Sequence, residues 1–160
     1  MMILIKIILI LALMTIFYQD IKERSVYWFL FLIVACTAGY LYFTKTFLEL
    51  FGTTAAINLG IISVIFLVLH SYAKFKLKTT LKSVFGLGDA LFFLGLCIAF
   101  PVAAFIIFFV FSLVFSLVLH FVFKKRMRET SVPLAGYMSL FFIGVYLFHW
   151  TGFIPNLYTI

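Results

Sequence analysis

Charge is what this 160-residue chain has least of: 11% of it is Asp, Glu, Lys or Arg, against about one quarter in a soluble globular domain. With 66% hydrophobic residues, 23 of them Phe, that scarcity excludes an ordinary water-soluble domain and points to the bilayer. Proline is down to 3 residues, and no Pro/Gly/Ser-rich linker or low-complexity tail divides the chain, so one domain over residues 1–160 is expected. Cysteine is limited to Cys36 and Cys97, each inside a separate apolar run. Neither belongs to a Cys-x-x-Cys pair, which excludes a zinc knuckle or a disulfide framework, and both read as buried small hydrophobes. Acidic residues number only 5 against 12 basic ones, a net charge of +7. The basic residues fall in short clusters between apolar runs. That is the pattern of juxtamembrane anchors facing the cytoplasm and anionic lipid, so membrane lipids and no nucleic acid are expected as partners.

What the chain does have is long apolar runs. A bilayer core of about 30 Å takes roughly 20 helical residues. Candidate spans fall at 2–18, 26–43, 53–72, 84–100, 102–123 and 133–150. The first run resembles a signal peptide in its Lys6 and its Ile/Leu-rich core, but no small-x-small cleavage site follows, and it is read as a retained span. The stretch from Val84 to Phe123 is too long for one helix, which would run near 60 Å. A turn at Phe100-Pro101 divides it, because the residue before proline is pushed out of the helical region and proline starts helices well. Charge supports the division. Lys22 and Arg24, then Lys74, Lys76, Lys78 and Lys82, then Lys124, Lys125, Arg126 and Arg128 all fall on one face, leaving only Lys6 and Lys45 on the other. The positive-inside rule assigns that face to the cytoplasm. The expected fold is all-α, a polytopic membrane protein of six transmembrane helices with both termini on the non-cytoplasmic side.

Smaller features fit the same map. Residues 73–83 interleave lysines with Phe75 and Leu77, which suits either a segment on the headgroup surface or a solvated basic loop. Tyr27, Trp28 and Trp150 sit near span ends as an aromatic belt would. His70 and His120 read as interfacial histidines, and with no clustered third ligand no metal is expected.

Asp20 and Asp89 are the only aspartates, and each lies where an apolar run meets a basic stretch. An ionisable group at a membrane span is costly and by default marks function. The topology puts Asp20 at the cytoplasmic end of the first span and Asp89 at the cytoplasmic start of the fourth, at one depth. Two nearby carboxyls share a proton, because both cannot ionise together. One can then take a proton from water while the other polarises a scissile carbonyl, and no cofactor or metal is needed. Asp89 ends Gly86-Leu87-Gly88-Asp89, where glycines allow a close backbone approach and a bend at the helix start. The plainer readings are an acid capping a helix N-terminus at Asp89, and a helix-end acid paired with Lys22 or Arg24 at Asp20.

The segment Asp20-Ile21-Lys22-Glu23-Arg24-Ser25-Val26 resembles the first-aspartate motif of type IV prepilin peptidases, and Phe85-Gly86-Leu87-Gly88-Asp89 their Gly-x-Gly-Asp motif. Val132-Pro133-Leu134-Ala135-Gly136 is similar to the segment that opens the family's last span. The likeness covers the chain in order, spacing and topology. Leu91 stands where the family carries lysine, Leu134 where Phe follows the proline, and Tyr27 where proline follows Val26.

The resemblance implies an aspartic endopeptidase of the cell (cytoplasmic) membrane with its active site facing the cytoplasm. Asp20 and Asp89 would be catalytic, with Gly86, Gly88, Pro133 and Gly136 serving substrate approach and local structure. The implied substrates are prepilin-like or preflagellin-like proteins, cut between a short basic leader and a hydrophobic helix. No cysteine-containing methyltransferase domain is present, so the resemblance is to compact, peptidase-only members. A proton-coupled transporter using the same aspartates and a catalytically inactive scaffold are the alternatives. The sequence does not fix the oligomeric state.

Overall fold

A computed structural model of the chain describes residues 1–76, 78, 86–123, 132–155 and 157–158. Among the described residues six helices run in order: α1 (Met2–Glu23), α2 (Trp28–Phe43), α3 (Leu48–Phe75), α4 (Leu87–Leu96), α5 (Val102–Phe123) and α6 (Leu134–Trp150). Among the described residues there is no strand. The all-α expectation holds.

Three helices, α1, α3 and α5, are long and apolar enough to cross a membrane. Their outward faces carry Leu11, Leu67, Val68, Phe111 and Val114, all exposed. A helix that is apolar all round is at home in lipid or in a core. The apolar helices mark a membrane-associated protein.

Helix α1 lies between α2 and α6; α6 also packs on α5, α4 sits against α2, and α3 flanks α2, α4 and α5. Helices α1 and α6 are antiparallel. Lys6 Nζ lies 4.9 Å over the Trp150 ring at one end, and Asp20 meets Gly136 at the other. The same number of residues separates Lys6 from Asp20 as separates Gly136 from Trp150, about 21 Å of helix in each case. In lipid there is no hydrophobic drive between helices, so close packing and hydrogen bonds must hold them. Gly95 supplies one close approach, its α4 backbone lying so near α2 that an added Cβ would meet Ala35 Cβ at 3.4 Å. Aromatic rings supply much of the rest. Phe100 stacks on Phe142 at 5.6 Å and on Tyr146 at 5.7 Å, and Phe93 meets Phe109 edge-on at 4.8 Å.

The span expected at 84–100 departs most from the reading. The helix begins at Leu87 and ends at Leu96, ten residues and about 15 Å, half the bilayer core. Residues 84 and 85 lie outside the described residues. The apolar run continues past Leu96, but the backbone tightens into turns, Cys97 N–H to Leu94 O and Ala99 N–H to Leu96 O. Irregular backbone at membrane depth survives only where protein satisfies it. Asn58 of α3 does so: its Nδ2 donates to Cys97 O at 2.9 Å and to Phe100 O at 3.0 Å. The division at Phe100-Pro101 is present, with α5 starting at Val102 directly after the proline.

A second correction concerns Cys36. Cys97 is buried as expected, but Cys36 faces outward from α2. In a bilayer the lipid-facing and core-facing sides of a helix are equally apolar, so hydropathy could not tell them apart. The segment 73–83 and the cluster Lys124–Arg128 fall largely outside the described residues.

Candidate functional site

Helix α6 opens on Pro133, which has φ −76° and ψ 77°. Those angles are an inverse γ-turn, closed by Leu134 N–H donating to Val132 O at 2.9 Å. A helix leaves its first four N–H groups without intrahelical partners. Pro133 has no N–H, and the turn consumes that of Leu134. Two amides remain, and two carboxylates take them. Ala135 N–H donates to Asp89 Oδ1 at 2.8 Å, and Gly136 N–H to Asp20 Oδ2 at 2.6 Å. The first ordinary helical bond follows, Tyr137 N–H to Pro133 O at 3.1 Å.

The two aspartates therefore sit on consecutive residues of one helix start, whose Cα atoms are about 3.8 Å apart. They are within electrostatic reach of each other. Both are half-buried. The positive end of the α6 dipole favours negative charge there. Each carboxylate offers about four lone-pair sites, so one backbone bond leaves capacity for water or a substrate group.

Each acid is positioned by its own element. Asp20 lies in the last turn of α1, before Arg24 ends the helix in the left-handed region at φ 54°. Asp89 is the third residue of α4, where an acidic side chain can fold back to the helix start. The Gly86 amide is a further backbone partner of Asp89.

The glycines named from sequence are close-approach positions, and the protein's own side chains take the space. A Cβ on Gly136 would lie 3.0 Å from both Asp20 Cβ and Asp20 Oδ2. One on Gly86 would meet Asp89 Oδ2 at 3.1 Å, and one on Gly88 would meet Phe31 Cζ at 3.3 Å. Leu91, where the resemblance calls for lysine, is exposed one turn from Leu87 on α4.

Ala135 and Tyr137 escaped the sequence reading. Ala135 contributes only its amide, a group every residue has, and nothing in its side chain signals the role. Arg24 and Tyr137 both act electrostatically on this site, Arg24 on Asp20 and Tyr137, and Asp20 on Tyr137. Arg24, expected as a partner of Asp20, stands four residues after it and acts on it electrostatically. Lys22, the other expected partner of Asp20, turns to Tyr18 instead, donating to its hydroxyl at 2.8 Å. Among the described residues no three His, Cys, Asp or Glu stand together as a metal-ligand group.

Comparison of the chain with family models, with curated proteins and with solved structures returns no match.

Proposed function

We propose that the chain is a membrane aspartic endopeptidase that uses Asp20 and Asp89 as its catalytic pair. The observation that carries this reading is their seating on the adjacent amides of Ala135 and Gly136. Three separate parts of the chain converge to hold two acids side by side at the end of an apolar bundle. In the reaction, one carboxylate takes a proton from water, and the resulting hydroxide equivalent attacks the scissile carbonyl. The other carboxyl donates its proton to the carbonyl oxygen, and collapse of the tetrahedral species delivers a proton to the leaving amine.

The resemblance of the aspartate motifs to those of type IV prepilin peptidases names the substrate class. A prepilin-like protein presents a short basic leader followed by an apolar helix, so its cleavage site lies at the membrane surface. In this reading the bundle makes six crossings of the cytoplasmic membrane, both termini are outside, and the aspartates face the cytoplasm. The placement of Lys6 and Trp150 at the end opposite the acids supports that arrangement, as does the basic loop pattern. A reporter fused between Lys76 and Lys82 is expected to lie inside the cell, as read by protease protection of intact spheroplasts. Its appearance outside would reverse the orientation.

The same hydrogen bonds favour one other reading. Two acids that cap a helix from afar could hold together an inactive scaffold of a pilus or secretion apparatus, and Leu91 in place of lysine fits it. A single assay separates the two. Purified full-length chain is incubated with a prepilin-like substrate, and the product is identified by mass. Release of the leader supports the peptidase. Failure across a panel of such substrates, with protein shown to be folded, supports the scaffold.

A further inference from the structure

Each acid takes one amide of α6, yet the two stand in different fields. They sit where α1, α4 and α6 meet, with α2 packed on α1 and α4. Helix α2 carries no charged residue. On α4 the only charge is Asp89, and Leu91 stands where the resemblance calls for lysine. The histidine of α6, His149, is at the far end beside Trp150 and Lys6. Helix α3, which flanks α4, brings His70 and Lys74, both exposed. On α1, Glu23 is exposed, and the exposed Lys22 bonds to Tyr18. Arg24 differs from all of these. It follows Asp20 by four residues, it is half-buried, and its Nη1 is buried. Tyr137, the residue after Gly136, is buried and interacts electrostatically with both Arg24 and Asp20. Among the described residues, Arg24 is thus the cation that acts on the pair, and it acts on Asp20. The charge that acts on Asp89 is Asp20 itself.

A neighbouring cation favours the charged form of a carboxyl, and a neighbouring anion disfavours it. Two acids that share one proton then share it unequally. We propose that Arg24 is a positioning residue that sets the roles of the pair: Asp20 is the standing carboxylate, and Asp89 holds the shared proton. Asp20 then takes a proton from water, and Asp89 gives its own to the scissile carbonyl oxygen as the hydroxide equivalent attacks the carbon. When the tetrahedral species collapses, Asp20 passes its proton to the leaving amine. Asp89 recovers one from the hydroxyl that becomes the new carbonyl, so the pair returns to its starting state. With the roles exchanged, the neutral acid would face the guanidinium and the charged one would face no cation among the described residues. The catalytic roles rest on the peptidase reading; the placement of charge does not.

Asp20 and Asp89 are the only aspartates in the chain, so aspartate isotopically labelled at its side-chain carboxyl carbon gives two NMR signals. The full-length protein is titrated in detergent, each signal being identified by its loss in Asp20→Asn or Asp89→Asn. As pH falls, the Asp89 signal is expected to take up its proton first. In Arg24→Gln the Asp20 signal should protonate at a pH higher by about one unit or more, the scale on which an adjacent arginine acts on an aspartate. Arg24→Lys keeps a cation and should restore most of the difference. If Arg24 only braces the end of α1, Arg24→Gln lowers the thermal midpoint and leaves the titration in place, which overturns the proposal. A wild-type protein in which Asp20 protonates first also overturns it, and that result needs no Arg24 variant. With a cleaved substrate, the acid limb of the pH profile should move to higher pH in Arg24→Gln, together with the Asp20 signal. A chain that titrates as expected but cleaves nothing would fault the peptidase reading and support the placement of charge.

Discussion

Asp20→Asn and Asp89→Asn are each expected to reduce cleavage of a prepilin-like substrate by on the order of 10³-fold or more, the scale of loss when one member of an acid–base unit is removed. The thermal midpoint should stay close to that of the unaltered protein. Asparagine keeps an oxygen that accepts from the Gly136 or Ala135 amide, so the start of α6 remains satisfied while the acid–base chemistry is gone. Alanine removes the acceptor as well. Asp20→Ala and Asp89→Ala should therefore lose activity equally and also lose about 0.5–2 kcal/mol of stability, the range for a deleted helix cap. Turnover and thermal unfolding on the same four preparations read both effects. Cleavage that survives in either asparagine variant would reduce the acids to structural caps.

Gly136→Ala is expected to cost about 1–3 kcal/mol, as overpacking does in a filled interior. The added Cβ would stand 3.0 Å from Asp20 Cβ, an atom fixed to the α1 backbone that no rotamer change can move. Helices α1 and α6 would have to part, stretching the bond between Gly136 N–H and Asp20. A displacement near 1 Å at a reacting group can cost about 10²-fold in rate, so cleavage should fall with the midpoint. Gly144→Ala, in the same helix, is the comparison. Nothing lies within 4 Å of a Cβ there, and a helical glycine replaced by alanine gains about 0.5–1 kcal/mol. Opposite shifts in thermal unfolding at two glycines of one helix would locate the effect at the α1 contact. A neutral result at Gly136 would contradict the packing described here.

Much of this architecture could be read from the sequence because its signals are strong and local. Long apolar runs define helices, and Pro101 divides a run too long for one. The two aspartates stand out because acids are so few, and their shared depth followed from the basic loops. What could not be read depends on contacts between distant residues. The end of α4 is braced by the Asn58 amide reaching Cys97 and Phe100 from another helix, a contact that no local pattern announces. The outward face of Cys36 is invisible to hydropathy when lipid and core are equally apolar. The joining of Asp20 to Asp89 runs through the backbone of Ala135 and Gly136, and backbone amides carry no signature in a sequence. Proline and glycine at Pro133 and Gly136 hinted at a helix opening, but not at which side chains would occupy it.

The start of α6 is closed by residues 46 and 116 positions earlier in the chain, rather than by its own neighbours. Until α1 and α4 arrive beside it, the first turn of α6 leaves the Ala135 and Gly136 amides without these partners. Assembly of the bundle and assembly of the acid pair are then the same event. A chain interrupted before α6 would carry both aspartates with nothing to bring them together. In the proposed peptidase such a fragment would not cleave, because the pair comes into being only when the last helix docks.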